Sequence, residues 1–186
     1  MIDLKPACAA MSELLIAITD AELTLPTPCS KYQVADLVEH VDVVVRGSTS
    51  LARKQSAPSE PAADRTVLAE RVRLLGAAWD DPAAWEGTTP TASLALTNAV
   101  WARIAFTEIV VHGWDLARAT ARPFDLPEST LRACLDHVAE FVPRAPLPDL
   151  WEPPVALPGD APLFDRIVAI TGRDPRWTAD SAGKGE

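Results

Sequence analysis

The chain has 186 residues, of which 48% are hydrophobic and 23% charged. This length and composition predict one globular domain with a substantial core. It carries 26 acidic side chains against 17 Lys and Arg, which gives a formal net charge of -9 at pH 7. Because phosphate neutralisation needs clustered Lys and Arg, this balance argues against a general nucleic-acid binder, and it also argues against attraction to anionic lipid.

The N-terminal sequence and the cysteines predict a cytoplasmic protein. The segment Met1–Pro6 lacks the basic start and apolar core of a signal peptide. No run of about 18 apolar residues is present, so we expect no membrane span. The cysteines are odd in number and have no tight spacing, which fits reduced thiols rather than a disulfide framework. They are Cys8, Cys29 and Cys134.

Two helices are predicted in the first part of the chain. The first covers about Pro6–Asp20, with proline in its opening turn. The second follows a capping-box pattern, S-x-x-Q, formed by Ser30 and Gln33, and Gly47 is expected to end it. Its apolar stripe repeats at helical spacing. The stripe consists of Val34, Leu37, Val38, Val41, Val44 and Val45.

Helices are also predicted through the middle of the chain. A polar loop from about Ser50 to Ala63 precedes a third helix over about Asp64–Trp79. The stretch Asp80–Pro90 is expected to be a loop, and a long apolar helix follows it over about Leu94–Thr120.

The C-terminal third adds two shorter helices, over about Glu128–Val142 and Pro162–Thr171. The proline-rich stretch between them, Pro143–Pro162, contains Trp and Leu and is expected to lie over the other helices. The pattern predicts an all-α fold, an antiparallel four-helix bundle with extra C-terminal helices and a Pro-rich segment. Residues 1–177 are expected to form a single domain, and 178–186 a disordered tail.

The most informative pair of side chains is Glu108 and His112, which lie one helical turn apart on the same face of the long helix. That face also carries Trp101, and a buried carboxylate there needs a partner or a metal ion. If the second and fourth helices are neighbours, His40 can join the pair. Two imidazoles and a carboxylate suit zinc with open coordination positions, and nickel or iron would accept the same donors. Spacing alone also fits an ordinary surface hydrogen bond or salt bridge.

Three segments carry a resemblance to a known family. Thr27–His40 resembles the T-P-C-x-x-W-x-V-x-D-L-x-x-H signature of actinobacterial DinB-like proteins, with Tyr32 at the position of the Trp. Glu108–Asp115 resembles the second signature of that family, and Gly159–Trp177 is similar to its tail. The matches occur in the expected order and span nearly the whole chain.

This family is similar to the N-terminal domain of mycothiol-dependent maleylpyruvate isomerase. The resemblance implies a DinB-like four-helix bundle with a divalent metal ion held by His40, Glu108 and His112. The isomerase also has a C-terminal domain that contributes a catalytic arginine, and 186 residues leave no room for it. The resemblance therefore implies the metal site rather than the isomerase reaction itself.

Other side chains have two interpretations each. Asp115 can accept a hydrogen bond from the His112 ring and orient it toward a metal, or form a salt bridge with Arg118. Cys29, just before a helix, can be an activated thiol or a packing residue. His137 is expected to be at the surface or half-buried, and no catalytic residue is assigned.

The leading functional hypothesis is a divalent-metal-binding protein that uses a low-molecular-weight thiol, mycothiol, to transfer or isomerise small electrophilic substrates. One alternative is a metal-dependent hydrolase that activates water. Another is a non-catalytic metal-binding module in metal handling or stress response. A third is a metal-free structural pair between Glu108 and an arginine. The apolar residues around the long helix predict either a homodimer interface or a surface covered by the fifth helix.

Overall fold

The structure, a computed structural model, describes residues 1–56, 62–91, 94–145 and 151–179. In these ranges the chain is helical apart from one small hairpin, so the predicted all-α fold is confirmed. Three short 3-10 turns, at Asp20–Glu22, Pro82–Trp85 and Val142–Arg144, connect larger elements. The larger elements are α1 (Lys5–Ala17), α2 (Val34–Ala52), α3 (Arg65–Ala78), β1 (Thr88–Thr91), β2 (Leu94–Thr97), α4 (Asn98–Ala119), α5 (Glu128–Phe141) and α6 (Leu163–Ile170).

Four of the helices, α1 to α4, form the bundle. Each of α1 and α2 packs against both α3 and α4. The start of α1 meets the end of α3, where Lys5 pairs with Asp80, so these two helices are antiparallel. Helices α2 and α3 run parallel, because Asp42 contacts Arg71 and, farther along both, Ser48 accepts a hydrogen bond from Trp79. The core fills the space between the four helices and continues to the buried faces of α5 and α6.

Helices α2 and α4 are antiparallel, and this pair determines the position of the site. His40, in the first half of α2, lies beside Glu108 in α4. Farther along α2, Gly47 and Leu51 lie across the groove from Trp101, which comes before Glu108 in α4. The α2–α4 groove therefore runs from His40 toward the β-hairpin.

Helices α5 and α6 lie outside the four-helix core. They pack on each other, and α5 covers part of α4. This cover explains within one chain why α4 is apolar around much of its circumference. The apolar surface of α4 therefore does not support the predicted homodimer. No helix in the described part of the chain is long and apolar enough to cross a membrane.

Residues 151–162 of the Pro-rich segment lie against the other elements. Trp151 packs on the core, and the Val155 N–H donates to the carbonyl of Ala169 at 2.9 Å. Gly172 has a φ of +87° and approaches the Glu152 backbone so closely that an added Cβ would lie 2.8 Å from it. Glycine is therefore required at the end of α6. Residues 146–150 of the Pro-rich segment and 180–186 of the expected disordered tail lie outside the described residues.

Helix α2 corrects two predictions. It begins at Val34 with Gln33 as its N-cap, and the Gln33 N–H donates to the Asp36 carboxylate at 3.0 Å. The predicted capping box from Ser30 is wrong, because the Ser30 hydroxyl instead donates to Glu152. Gly47 does not end the helix, which continues to Ala52. Gly47 has no backbone requirement there, since its φ is not positive.

The hairpin corrects a third prediction. Residues expected to be a loop and the first turn of α4 form β1 and β2 instead, paired antiparallel with Thr88 opposite Thr97. Thr97 then caps α4, because its hydroxyl accepts from the Val100 N–H at 3.4 Å. The threonines of this stretch favour extended backbone, and helical periodicity alone concealed them. The predicted loop from Ser50 is also shortened, since α2 includes Ser50–Ala52, and α1 ends at Ala17 rather than Asp20.

Candidate metal site

The antiparallel packing of α2 and α4 brings three metal-ligating side chains together. Nε2 of His40 and Nε2 of His112 each lie 3.1 Å from Oε2 of Glu108. One ligand atom from each of the three residues lies within 4.8 Å of the others. The two imidazole rings meet edge to face with centroids 5.0 Å apart. Two nitrogen donors and one oxygen donor therefore converge on one point.

The site is buried at its α4 side and half-open at its α2 side. Glu108 and His112 are 7% and 3% exposed, whereas His40 is half-buried. The residue after His112 is glycine, and an added Cβ there would lie 2.1 Å from the Phe124 ring. Gly113 thus lets Phe124 close the back of α4 while the neighbouring side chains point into the site.

In the metal-free protein, hydrogen bonds that involve the histidines determine the pKa values of this cluster. Burial raises the pKa of Glu108, but the hydrogen bonds from His112 and His40 outweigh it and hold the pKa below the usual range. Burial also lowers the pKa of His112, but hydrogen bonds to Asp115 and Glu108 outweigh it and raise the pKa above the usual range. A proton on the imidazole or a bound cation is therefore what compensates the Glu108 charge.

On the side of its ring away from Glu108, His112 contacts a second carboxylate, which in turn contacts an arginine. Nδ1 of His112 lies 2.9 Å from Oδ2 of Asp115, which is fully buried. Asp115 in turn accepts a hydrogen bond of 3.1 Å from Arg173, a side chain only 5% exposed. This chain of contacts orients the His112 ring with Nε2 toward Glu108.

Arg173 is the residue of this network that the sequence did not single out. It follows α6 and lies 58 residues from Asp115. The proposed alternative partner, Arg118, instead lies over the Trp114 ring and donates to the carbonyl of Pro175. The one available signal was that Arg173 falls within the tail segment that resembles the DinB-like family.

The metal-free alternative, a pair between Glu108 and an arginine, is not what the structure shows. The hydrogen-bonding partners of Glu108 are His40 and His112. The arginine near the site, Arg173, contacts Asp115 instead. Two imidazoles and a carboxylate also make a donor set that fits a divalent cation, which would replace the imidazole proton.

Tyr32 occupies the position where the family signature has a Trp. Its ring stacks on His40 at 5.2 Å between centroids, and its hydroxyl lies 3.5 Å from His40 Nδ1. Tyr32 thus stacks on the candidate ligand His40, and its hydroxyl adds a polar group near Nδ1 of the ring.

Two cavities meet at His40 and Glu108. The first, which we call the apolar cavity, has a volume of about 500 Å³ and follows the α2–α4 groove to the hairpin. Trp101 lines it, as expected. The second, the polar cavity, has a volume of about 160 Å³ and also reaches His112. Its other lining residues are Cys29, Lys31, Tyr32, Trp151, Glu152 and Arg173.

The remaining candidates take structural positions. Cys29 is 6% exposed, and burial raises the pKa of its thiol, which favours the packing interpretation over an activated thiol. His137 is 9% exposed and stacked on Phe141, so the prediction of a surface or half-buried position is wrong. Burial lowers the pKa of His137 to about 4, and Arg103 acts in the same direction.

Comparison with known proteins places the chain in a family. The family model of the mycothiol maleylpyruvate isomerase N-terminal domain matches residues 4–117. Two uncharacterised proteins of Mycobacterium tuberculosis, from different strains, are each 33% identical over 176 residues, covering 90% of this chain and 93% of theirs. No solved structure matches the chain significantly. The matched segment contains His40, Glu108 and His112, and the chain belongs to the mycothiol maleylpyruvate isomerase N-terminal domain family, in agreement with the DinB-like bundle.

Proposed function

We propose that the chain is a divalent-metal enzyme that uses mycothiol as a cosubstrate and transfers it to, or isomerises, a small electrophilic substrate. The observation that carries this proposal is the convergence of His40, Glu108 and His112 where the apolar and polar cavities meet. A metal-handling module needs no such pair of cavities beside its ligands. Family membership supports the link to mycothiol.

The three donors favour zinc, with nickel and iron as competitors. Histidine and carboxylate ligands are typical of catalytic zinc sites, which keep one coordination position open. A divalent metal held here would lower the pKa of a coordinated thiol, so that the sulfur reacts as a thiolate near neutral pH. Asp115, itself fixed by Arg173, keeps the His112 ring in the orientation this role requires.

The polar cavity is the side on which we place the thiol. A sugar-bearing thiol is rich in hydroxyl groups and needs hydrogen-bonding partners. Lys31, Tyr32, Glu152 and Arg173 supply such groups around the ligand cluster. A further cavity of about 610 Å³ along residues 26–33 shares Cys29, Lys31 and Tyr32 with the polar cavity. Together they offer space for a large polar molecule.

In the transfer reaction, the thiol releases its S–H proton to solvent water and its sulfur forms a bond to an electrophilic carbon. The leaving group departs from that carbon with the bonding electron pair. The residues of the site hold the sulfur and the carbon in contact, and the apolar walls exclude water that would compete as a nucleophile.

The test is consumption of mycothiol by metal-loaded protein with 1-chloro-2,4-dinitrobenzene, following thioether formation and chloride release together. We expect turnover in wild type, loss in His40→Ala and His112→Ala, and retention in the matched control His137→Ala. If metal-loaded wild type consumes no thiol with a panel of electrophiles, the non-catalytic metal-binding module replaces this proposal.

A further inference from the structure

The walls of the apolar cavity are mainly aliphatic and aromatic, and they present few hydrogen-bonding groups. Ser48 accepts a hydrogen bond from Nε1 of Trp79 at 2.9 Å, which occupies its hydroxyl oxygen. The Thr89 hydroxyl donates to Asn98 at 2.8 Å, and the Thr89 carbonyl accepts from Nε1 of Trp101 at 3.1 Å. These groups of Ser48, Thr89 and Trp101 are therefore engaged within the protein, and the other uncharged polar side chains of the lining are Ser50 and Gln55. The aliphatic and aromatic surface comes from Val43, Val44, Leu51, Trp101, Ile104 and Ala105.

The ionisable side chains that line this cavity lie at the end that meets the ligand cluster. Among its described lining residues, the ionisable groups are His40 and Glu108, and no Lys or Arg contributes to the wall. An anionic ligand would lose its hydration here and would meet no Lys or Arg side chain along the groove that could replace it. The cavity therefore discriminates against anions along its length.

We propose that the apolar cavity holds the alkyl or aryl part of an uncharged electrophile, with the reactive carbon at the His40–Glu108 end. This inference rests on the proposed thiol-dependent function and adds the substrate class to it. A volume of about 500 Å³ lies within the range of cavities that enclose small organic ligands. The thiol and the substrate then reach the ligand cluster from opposite sides, the thiol through the polar cavity.

Gly47 offers a way to fill this cavity without disturbing the bundle. It lines the groove in the middle of α2, and an added Cβ would meet no atom within 4 Å. Leucine is also a better helix former than glycine, so Gly47→Leu is expected to fold. Gly159→Leu is the matched control, because an added Cβ is equally free at this exposed position away from the groove.

The first measurement is binding of the neutral fluorescent probe N-phenyl-1-naphthylamine to metal-loaded protein without thiol. We expect wild type and Gly47→Ala to bind it, and Gly47→Leu to bind at least ten-fold more weakly with unchanged metal content. Gly159→Leu is expected to bind as wild type does. Absence of probe binding in wild type, or equal binding by Gly47→Leu, would overturn the inference.

The second measurement compares how well a neutral compound and a negatively charged one displace the bound probe. The neutral 1-chloro-2,4-dinitrobenzene is expected to displace it at least ten-fold more effectively than 4-chloro-3,5-dinitrobenzoate, which places a carboxylate on the same kind of ring. Equal or better displacement by the carboxylate would contradict the inference. Because displacement needs no turnover, failure of the thiol assay alone would reject the proposed function and leave this result standing.

Discussion

Two buried carboxylates of the bundle have opposite kinds of partner. Asp42 in α2 is 1% exposed and contacts two arginines, Arg46 at 3.0 Å and Arg71 at 2.7 Å. Glu108 in α4 is 7% exposed and contacts two histidines at 3.1 Å. The arginines are permanently charged, whereas an imidazole is charged only when protonated.

The difference separates an acid whose charge is compensated by arginines from one whose charge depends on a proton or a cation. The guanidinium groups compensate Asp42 at every physiological pH, so nothing further needs to bind there. The charge on Glu108 must be compensated by a proton or a metal ion, and the imidazoles that surround it are themselves metal ligands. The same burial thus accompanies a permanently compensated acid in α2 and a candidate metal ligand in α4.

The largest effect on stability is expected from Asp42→Asn. This substitution removes the buried negative charge that both Arg46 and Arg71 contact, so the free energy of unfolding should fall by about 3 kcal/mol. Metal content should not change. Urea unfolding beside elemental analysis tests both statements, and a loss of metal with little loss of stability would reverse the comparison.

Glu108→Gln should show the opposite pattern. The amide lacks the charge that a divalent ion requires, so metal affinity should fall by more than the ~100-fold seen when a ligand loses only its supporting partner. The metal-free variant should lose some stability with the Glu108–His112 charge pair, but less than Asp42→Asn loses, because the amide needs no compensating charge. Calorimetric zinc titration and urea unfolding measure the two quantities. A fold destabilised as much as Asp42→Asn would show that Glu108 is structural instead.

Arg173→Leu should weaken the metal site without removing a ligand. Asp115 would keep only His112 as its charged partner, and metal affinity should fall by roughly 10- to 100-fold. Arg176→Leu is the control, since Arg176 pairs with Asp174 at an exposed position and does not contact the site. Equal zinc affinity in the two variants would show that Arg173 has no part in orienting His112.

The smallest effect is a pH dependence of the metal-free protein. Burial alone would lower the pKa of His112, but its bonds to Asp115 and Glu108 raise it from 6.5 to about 9 in the folded chain. The protonated ring therefore stabilises the fold fully below pH 6.5, and this contribution is lost as the pH rises through about 9. The Tm of chelator-treated protein should fall over this interval.

Metal-loaded protein should not show that fall, because its ligand imidazoles are already deprotonated. Metal-free His112→Ala should not show it either. A fall of the same size in metal-free His112→Ala would assign the pH dependence to another group.

The elements that the sequence could predict are those with strong local patterns. The four bundle helices follow from apolar residues at helical spacing, and Glu108 and His112 share a face because they are four residues apart. The placement of His40 beside them needed the assumption that α2 and α4 are neighbours. The structure has this packing, so one pairing of helices accounts for the geometry of the candidate site.

The parts that could not be predicted depend on contacts distant in sequence. Arg173 reaches Asp115 across 58 residues, and nothing in the local pattern of either residue indicates this pair. Gly47 has the signature of a helix stop, yet α2 continues because its later residues pack against α3, as Ser48 does with Trp79. The two strands of the hairpin, in contrast, are close in sequence. They were not predicted because the apolar periodicity of α4 extends into β2.

The most direct test of this account is the metal content of purified, untagged protein after incubation with zinc, nickel or ferrous iron. We predict close to one divalent ion per chain in wild type and in His137→Ala, and loss of the ion in both His40→Ala and His112→Ala. A wild-type chain that stays metal-free in all three incubations, or a His112→Ala variant that keeps its metal, would contradict the claim that Glu108 and its two histidines form a metal site.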